Sequence, residues 1–454
     1  MFQSAGATNG CTCINNQMRG VLILKNDINF GEGSIPKLLM KLAPPVMAAQ
    51  LIQALYNIVD SYFIGKYSES GLTALSIIYP LQLLMIALAV GTGVGLNTLI
   101  ALLRGTKEYD ESRKATGTAA PVALVMWALF AAVCFFLMPL YAAVSTDSEI
   151  VRQEVITYGR IVSVFSIGLF LESMWTKVLQ AGGNMKLPMI AQIAGAAVNI
   201  ILDPILIFSF EMGIAGAAIA TVAGQIAAAL IVMPKAFCKS PAFSEYPHLV
   251  KRIYYLGFPN ILMQSAYTFY ILMFNLILKS FSDQAVTALG LYYKWQSFFF
   301  IPLGAMQTCI VPLISFNHGA GKYDRCRKTM STAILMGMAL MALGVLCFEL
   351  VPSQMIQVFS HDSDVIAIGT HGFRLIGLSF IPMVTSLIFP VFFQAVGNSG
   401  KSSFLTVLRT VILFVPLGFL FARFGGLEYF WAVFPVTEII TSSAGYIMYK
   451  QKHL

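Results

Sequence analysis

Apolar residues in this chain come in long blocks, and polar residues collect in the short gaps between them. A helix needs about 20 apolar residues to cross a bilayer, and twelve blocks meet that length. The first six run roughly over 37–64, 72–103, 115–140, 155–180, 187–210 and 213–236. The second six run roughly over 252–279, 285–316, 328–351, 366–394, 403–423 and 428–449. Several exceed the minimum, so tilt or protrusion beyond the membrane is expected. The pattern predicts an all-α polytopic membrane protein of twelve transmembrane helices.

Laid side by side, the two sets of six repeat each other. Thr73-Ala74-Leu75 recurs as Thr287-Ala288-Leu289, an offset of 214 residues. At that offset Gly105, Tyr109, Asp110, Arg113 and Lys114 recur as Gly319, Tyr323, Asp324, Arg327 and Lys328. Gln180-Ala181-Gly182-Gly183-Asn184 returns as Gln394-Ala395-Val396-Gly397-Asn398, and Ala43-Pro44 finds Phe258-Pro259 one residue out of step. Apolar segments match by chance, whereas polar loop residues in register do not. Six spans per half leave both halves in one orientation, so a pseudo-two-fold axis along the membrane normal is expected, with a cavity between the lobes. The chain divides into a flexible or interfacial N-terminal tail (1–35), a six-helix lobe (36–237), a polar, proline-broken cytoplasmic linker (238–249) and a second six-helix lobe (250–454). Within the tail the apolar run Val21–Leu24 is too short for a signal-peptide core.

Charge orients the spans. Arg104, Lys107, Arg113 and Lys114 follow the second, Lys235, Lys239, Lys251 and Arg252 the sixth, Lys322, Arg325, Arg327 and Lys328 the eighth, and Lys450 and Lys452 end the chain. The alternate loops carry Asp147, Glu149, Glu211, Asp362 and Asp364. By the positive-inside rule both termini are cytoplasmic and the protein lies in the cell's inner (cytoplasmic) membrane. Only 11% of residues are charged and 57% are hydrophobic, with a mean hydropathy of +0.75. The net charge of +8 therefore reads as topology rather than nucleic-acid binding. Seven cysteines follow no framework. Cys11 and Cys13 form a lone CxC without further ligands.

Candidate chemistry sits inside the fifth block, at Asn199-Ile-Ile-Leu-Asp203-Pro204. A carboxylate at membrane depth needs a partner, a cavity or a function. Asn199 and Asp203 share one helix face, and Pro204 frees the carbonyl of Ile200 beside them. Amide, carboxylate and loosened carbonyl are oxygen ligands for a proton or a small hard cation. Gln192 and Gly195 extend the same face, and in the first span Gln53, Asn57 and Asp60 make another polar face. In the sixth span Thr221 adds a hydroxyl, free to face the site or to bond back to its own helix. At the repeat offset Asn199, Asp203 and Asp60 become Leu413, Leu417 and Phe274, so the acids belong to the first lobe alone.

Ala395-Val-Gly-Asn-Ser-Gly-Lys-Ser402 fits a phosphate loop only loosely and follows a membrane helix rather than a strand. No hydrolase motif is present. Neither nucleotide binding nor enzymatic activity is expected, and no cofactor is required.

Ala43-Pro44, Asn57-Ile-Val-Asp60, Thr73-Ala-Leu75, the two Gln-Ala-x-Gly-Asn stretches and Asn199-Ile-Ile-Leu-Asp203-Pro204, in that order within a two-by-six layout, resemble the multidrug and toxic compound extrusion (MATE) transporters. The likeness extends from about Ile35 onward and is most similar to the bacterial branches holding DinF-like and MepA-like pumps. It implies export of bulky, often cationic amphiphiles in exchange for H+ or Na+ by alternating access. It also implies a cation-coupling site at Asp60, Asn199, Asp203 and Thr221, which are metal ligands if sodium is the ion, with Pro204 as a helix hinge. Gln53 matches a cavity-lining position, and Asn57, Gln192, Gln264 and Asn275 join it as candidate cavity residues. Some relatives use acids in spans seven and ten, which this chain lacks. Small molecules and membrane lipids are the expected partners, and a monomer is expected. A lipid or lipid-linked precursor flippase is the alternative, kept open by Lys294 and Arg409.

Overall fold

The computed structural model describes residues 29–451. Cys11, Cys13, Lys452 and the tail before residue 29 lie outside the described residues. In lipid every backbone polar group must be satisfied within the chain, and among the described residues the regular structure is entirely helical. The first lobe comprises α1 (Ile35–Tyr67), α2 (Glu69–Gly105), α3 (Tyr109–Gly117), α4 (Ala119–Ser145), α5 (Glu149–Val164), α6 (Ile167–Ala181), α7 (Lys186–Pro204) and α8 (Gly213–Ala236). A 3-10 turn, Phe243–Glu245, leads into the second, which begins with α9 (Tyr246–Lys279), α10 (Asp283–Phe299), α11 (Ile301–Gly319) and α12 (Tyr323–Leu350). It continues with α13 (Pro352–Gln357), α14 (Ser363–Gly377), α15 (Phe380–Ala395), α16 (Ser399–Val407), α17 (Val415–Phe430) and α18 (Val433–Lys450). Two π-helical stretches, Ile205–Ser209 and Leu408–Phe414, interrupt the fifth and eleventh spans.

Eight helical stretches are long and apolar enough to cross a membrane, and three bent pairs raise the count to eleven. With 18 residues, α18 is the twelfth span; at 1.5 Å per residue it is about 27 Å long. The bent pairs α5–α6, α10–α11 and α14–α15 turn by 43°, 50° and 55°. The first and last of these are repeat mates, and their breaks fall at matching places. Ser166 donates to the Ser163 carbonyl at 2.7 Å and Ser379 to the Ile376 carbonyl at 2.6 Å. Each hydroxyl thus satisfies an acceptor beside the break.

The lobes meet through glycine. A Cβ on Gly105 would lie 2.1 Å from the Phe316 carbonyl oxygen, and one on Gly319 2.4 Å from that of Leu102. Gly105 and Gly319 are repeat mates, and so are Leu102 and Phe316, so this contact is reciprocal across the pseudo-two-fold axis. Above it a Cβ on Gly95 would meet the Ile253 carbonyl at 2.1 Å, and one on Gly257 the Gly91 carbonyl at 2.7 Å. Only hydrogen at these positions lets α2 touch α9 and α11 backbone to backbone. The linker folds onto the same end: a Cβ on Gly117 would strike the Lys239 carbonyl at 2.2 Å, and Lys114 pairs with Glu245 at 2.8 Å. The basic loops after spans two, six and eight thereby gather at one end. The last tail residues are held there too, by Arg325 bonding the carbonyls of Phe30 (3.0 Å), Glu32 (2.9 Å) and Gly33 (2.9 Å).

Deep in the second lobe Arg409 grips Glu438, with Nε at 3.0 and 3.1 Å from the two carboxyl oxygens and Nη2 at 2.5 Å from Oε1. Ser386 also donates to this carboxylate. Arg409 is therefore neutralised internally rather than offered to a lipid headgroup. Lys294 lies over the Phe359 ring, 5.0 Å from its centroid.

Two stability outcomes follow from these contacts. Gly105→Ala should lose about 1–3 kcal/mol by overpacking and lower the melting temperature by several degrees, whereas Gly400→Ala, with nothing within 4 Å of the added carbon, should not. Arg409→Met should cost about 3–5 kcal/mol by stranding Glu438, and adding Glu438→Gln should recover much of it; thermal unfolding in detergent measures all four.

Candidate functional site

The geometry around Asn199 follows from one more glycine contact. A Cβ on Gly195 of α7 would lie 2.7 Å from the Gly224 carbonyl oxygen of α8, and one on Gly224 would lie 2.6 Å from that of Gly195. One turn beyond each glycine stand Asn199 and Thr221, and the backbone contact brings these short side chains together. The Asn199 amide Nδ2 donates to Asp203 Oδ1 at 3.3 Å and reaches Thr221 Oγ1 at 3.5 Å. Thr221 thus faces the site rather than its own helix. Below Asp203 the chain passes from α-helix through Pro204 into the π-helical turn Ile205–Ser209. Gly216 of α8 accommodates that turn, since a Cβ there would meet the Leu206 carbonyl carbon at 2.8 Å.

Asp60, from α1, completes the group, its carboxyl beside that of Asp203. All four residues are buried, Asp203 completely at 0% exposure. Asp60 Oδ1, Asn199 Oδ1 and Asp203 Oδ2 are buried oxygens that accept no hydrogen bond from an N–H or hydroxyl, and the two carboxyls are close enough to share a proton between them. Buried polar atoms are ordinarily bonded, so three orphans side by side describe a receptor for something positive. Two carboxyls, one amide and one hydroxyl form an all-oxygen set, suited to a proton or a hard cation rather than a soft transition metal. Among the described residues no cluster of three or more His, Cys, Asp or Glu could hold a metal ion.

The group opens onto a cavity of 720 Å³, within the range that takes drug-sized ligands. Asp60, Asn199 and Thr221 line it, while Asp203 lies behind the wall. Gln53, Asn57 and Gln192 also line it, as do Tyr56, Tyr79 and Tyr158. Gln264 and Asn275 are not among the lining residues. Gln264 instead donates to Asn260 Oδ1 at 2.8 Å, and Asn275 is half-buried elsewhere on α9. This cavity is built almost wholly from the first lobe, with Thr308 of α11 as the second lobe's contribution.

Five polar residues of α6 also line the cavity: Glu172, Ser173, Thr176, Lys177 and Gln180. Glu172 Oε1 accepts from Thr176 Oγ1 at 2.7 Å and from Gln192 Nε2 at 3.0 Å, and Lys177 Nζ donates to Gln180 Oε1 at 3.0 Å. Glu172, Thr176 and Gln180, spaced by four, make a polar stripe in an apolar span, the same signal that marked Gln53, Asn57 and Asp60, with Lys177 set off to one side of it.

The MatE family model matches residues 45–205 and again 259–420, one match per lobe. The multidrug export protein MepA of Staphylococcus aureus is 24% identical over 428 residues, covering 92% of this chain and 95% of that protein. Its counterpart in Staphylococcus haemolyticus is 23% identical over 432 residues, covering 93% and 95%. Among solved structures, a MATE transporter of Vibrio cholerae, VcmN, superposes with a TM-score of 0.87 at 22% identity, over 92% of this chain and 96% of that one. A MOP superfamily transporter of Pyrococcus furiosus superposes with a TM-score of 0.86 at 18% identity, over 96% and 98%. With the family model matched in both lobes, the chain belongs to the MATE family of transporters, alongside the bacterial MepA-like members.

Proposed function

We propose that the protein is a secondary active multidrug efflux transporter that exports bulky, often cationic amphiphiles in exchange for protons or sodium ions. The observation that carries this reading is the trio of buried, unpartnered oxygens on Asp60, Asn199 and Asp203 at the wall of a drug-sized cavity. Two negative charges so close in a medium of low dielectric repel strongly, so the pair takes up positive charge, as a shared proton or a bound cation. The name of the staphylococcal relatives, multidrug export protein, supports the direction and breadth of transport.

The coupling works through the fifth span. Because Asp203 lies behind the cavity wall, an ion reaches it past Asp60 and Asn199. Loading draws α1 and α7 together, and the π-helical turn after Pro204 absorbs the resulting bend, since its backbone bonds are already irregular. The bend narrows the cavity and displaces the substrate, while the membrane potential adds about 2.3 kcal/mol per charge per 100 mV. Alternating access then consists of the two lobes rocking about the glycine contacts between α2, α9 and α11. The basic loops and linker gathered at one end support placing that end, and both termini, in the cytoplasm. The substrate leaves chemically unaltered, and a monomer suffices.

Proteoliposomes loaded with ethidium test the reading, with sodium and proton gradients imposed separately. The parent should move dye under one gradient, and Asp203→Asn should lose roughly 10–100-fold of the coupled rate. Dye movement in neither gradient, or an unimpaired mutant, would sink the proposal. Pro204→Ala separates binding from bending: ion uptake by purified protein should persist while gradient-driven export slows. Loss of both would deny the hinge.

A further inference from the structure

The cavity holds two oppositely charged side chains that the ion site does not use. Glu172 and Lys177 both line it, at 6% and 9% exposure. They lie five residues apart on α6, so they point about 140° apart around the helix, and no ion pair joins them among the described residues. Each is instead satisfied by neutral groups. Both bonds to the Glu172 carboxyl fall on Oε1, from Thr176 and Gln192, which leaves Oε2 for a ligand. Lys177 spends one of its three donors on Gln180.

A buried charge pair kept only for the fold closes on itself. The second lobe shows this case: Arg409 and Glu438 hold each other with three short contacts. Glu172 and Lys177 lie in the same protein, equally buried, and stand open to a space large enough for a ligand. Desolvated charges left apart are expensive, and a ligand carrying both signs compensates both at once. The wall around them is apolar and adaptable, with Met85, Met189 and Leu169 alongside Tyr79.

We infer that the cavity selects zwitterionic amphiphiles, with Glu172 receiving the ligand's cationic end and Lys177 its anionic end. The inference deepens the export reading and rests on it only for calling the ligand a substrate; the binding site stands on its own. Lys177 separates zwitterions from simple cations, because a cation of the same size leaves its ammonium uncompensated.

Tetramethylrhodamine, a zwitterion, and its methyl ester, a cation of nearly the same shape, form the matched probe pair. Fluorescence anisotropy of each dye, titrated with the purified full-length protein in detergent, should give at least about 10-fold tighter binding of the zwitterion, as for one charge-assisted hydrogen bond in a dry site. Lys177→Gln should bring the zwitterion down to the affinity of the ester, and Lys177→Arg should keep the preference. Glu172→Gln should weaken both dyes. Equal binding of the two dyes by the parent, or equal weakening of both by Lys177→Gln, would overturn the assignment. Should Lys177→Gln fail to give monodisperse protein, the parent comparison and Lys177→Arg decide the question. The same dyes in proteoliposomes keep the two proposals apart. Selective binding without transport of either dye under any gradient would fail the export reading alone, and export of the ester without preference in binding would fail the zwitterion assignment alone.

Discussion

Backbone-to-backbone contact through glycine is the constraint on which the rest of this structure depends. Helices in lipid gain nothing from burying leucine against leucine, so they associate where small residues let their surfaces approach. Here Gly105 and Gly319 set the pseudo-two-fold axis, Gly91, Gly95 and Gly257 join α2 to α9, and Gly195 and Gly224 press α7 against α8. The last contact also fixes the chemistry. Asn199 and Thr221 have short side chains, and they reach each other only because the helices carrying them touch one turn away. A methyl group at Gly195 or Gly224 would part the amide from the hydroxyl and widen the cluster of unpartnered oxygens.

The repeat makes this contact informative, because the second lobe solves the same packing problem differently. At the offset of 214 residues Gly195 and Gly224 correspond to Arg409 and Glu438. Where the first lobe has two hydrogens and a close approach, the second has a closed ion pair between its eleventh and twelfth spans. The acids of the first lobe have become Phe274 and Leu417 in the second. At these positions one lobe leaves carboxyl and amide oxygens unpartnered beside a cavity, and the other closes its Arg409–Glu438 pair on itself. The cavity follows the same division, lying almost wholly within the first lobe.

The twelve spans and their repeat were legible in the sequence because bilayer thickness is a one-dimensional ruler and loop polarity follows it. Asn199 and Asp203 share a face as their spacing of four requires. Their grouping with Asp60 and Thr221 comes from the resemblance to the MATE transporters, since spacing leaves Asp60 on a separate polar face and Thr221 free to bond its own helix. Gln264 and Asn275 do not line the cavity, because the symmetry of the fold says nothing about which lobe holds the opening. Glu172 and Lys177 were visible as charges but without a role, since their meaning depends on how α6 is rotated and bent, and the break at Phe165–Ser166 decides that. The π-helical turn after Pro204 was half legible. The proline announced an irregularity, but the backbone took up an extra residue per turn where a simple kink would also have served.

That choice bears on how ion and substrate communicate. A proline kink fixes one bend angle, whereas a π turn can tighten to α-helix or loosen again by shifting one hydrogen bond per step. The turn at Ile205–Ser209 packs against Gly216, so α8 senses its geometry directly. Thr221 lies further along the same helix, in contact with Asn199. In the proposed exchange, charge entering between Asp60 and Asp203 acts on α7 and α8 at two points, at Thr221 through the amide and at Gly216 through the turn. On that proposal the helix that bends and the helix that walls the cavity act as one unit, because Gly195 and Gly224 hold them backbone to backbone.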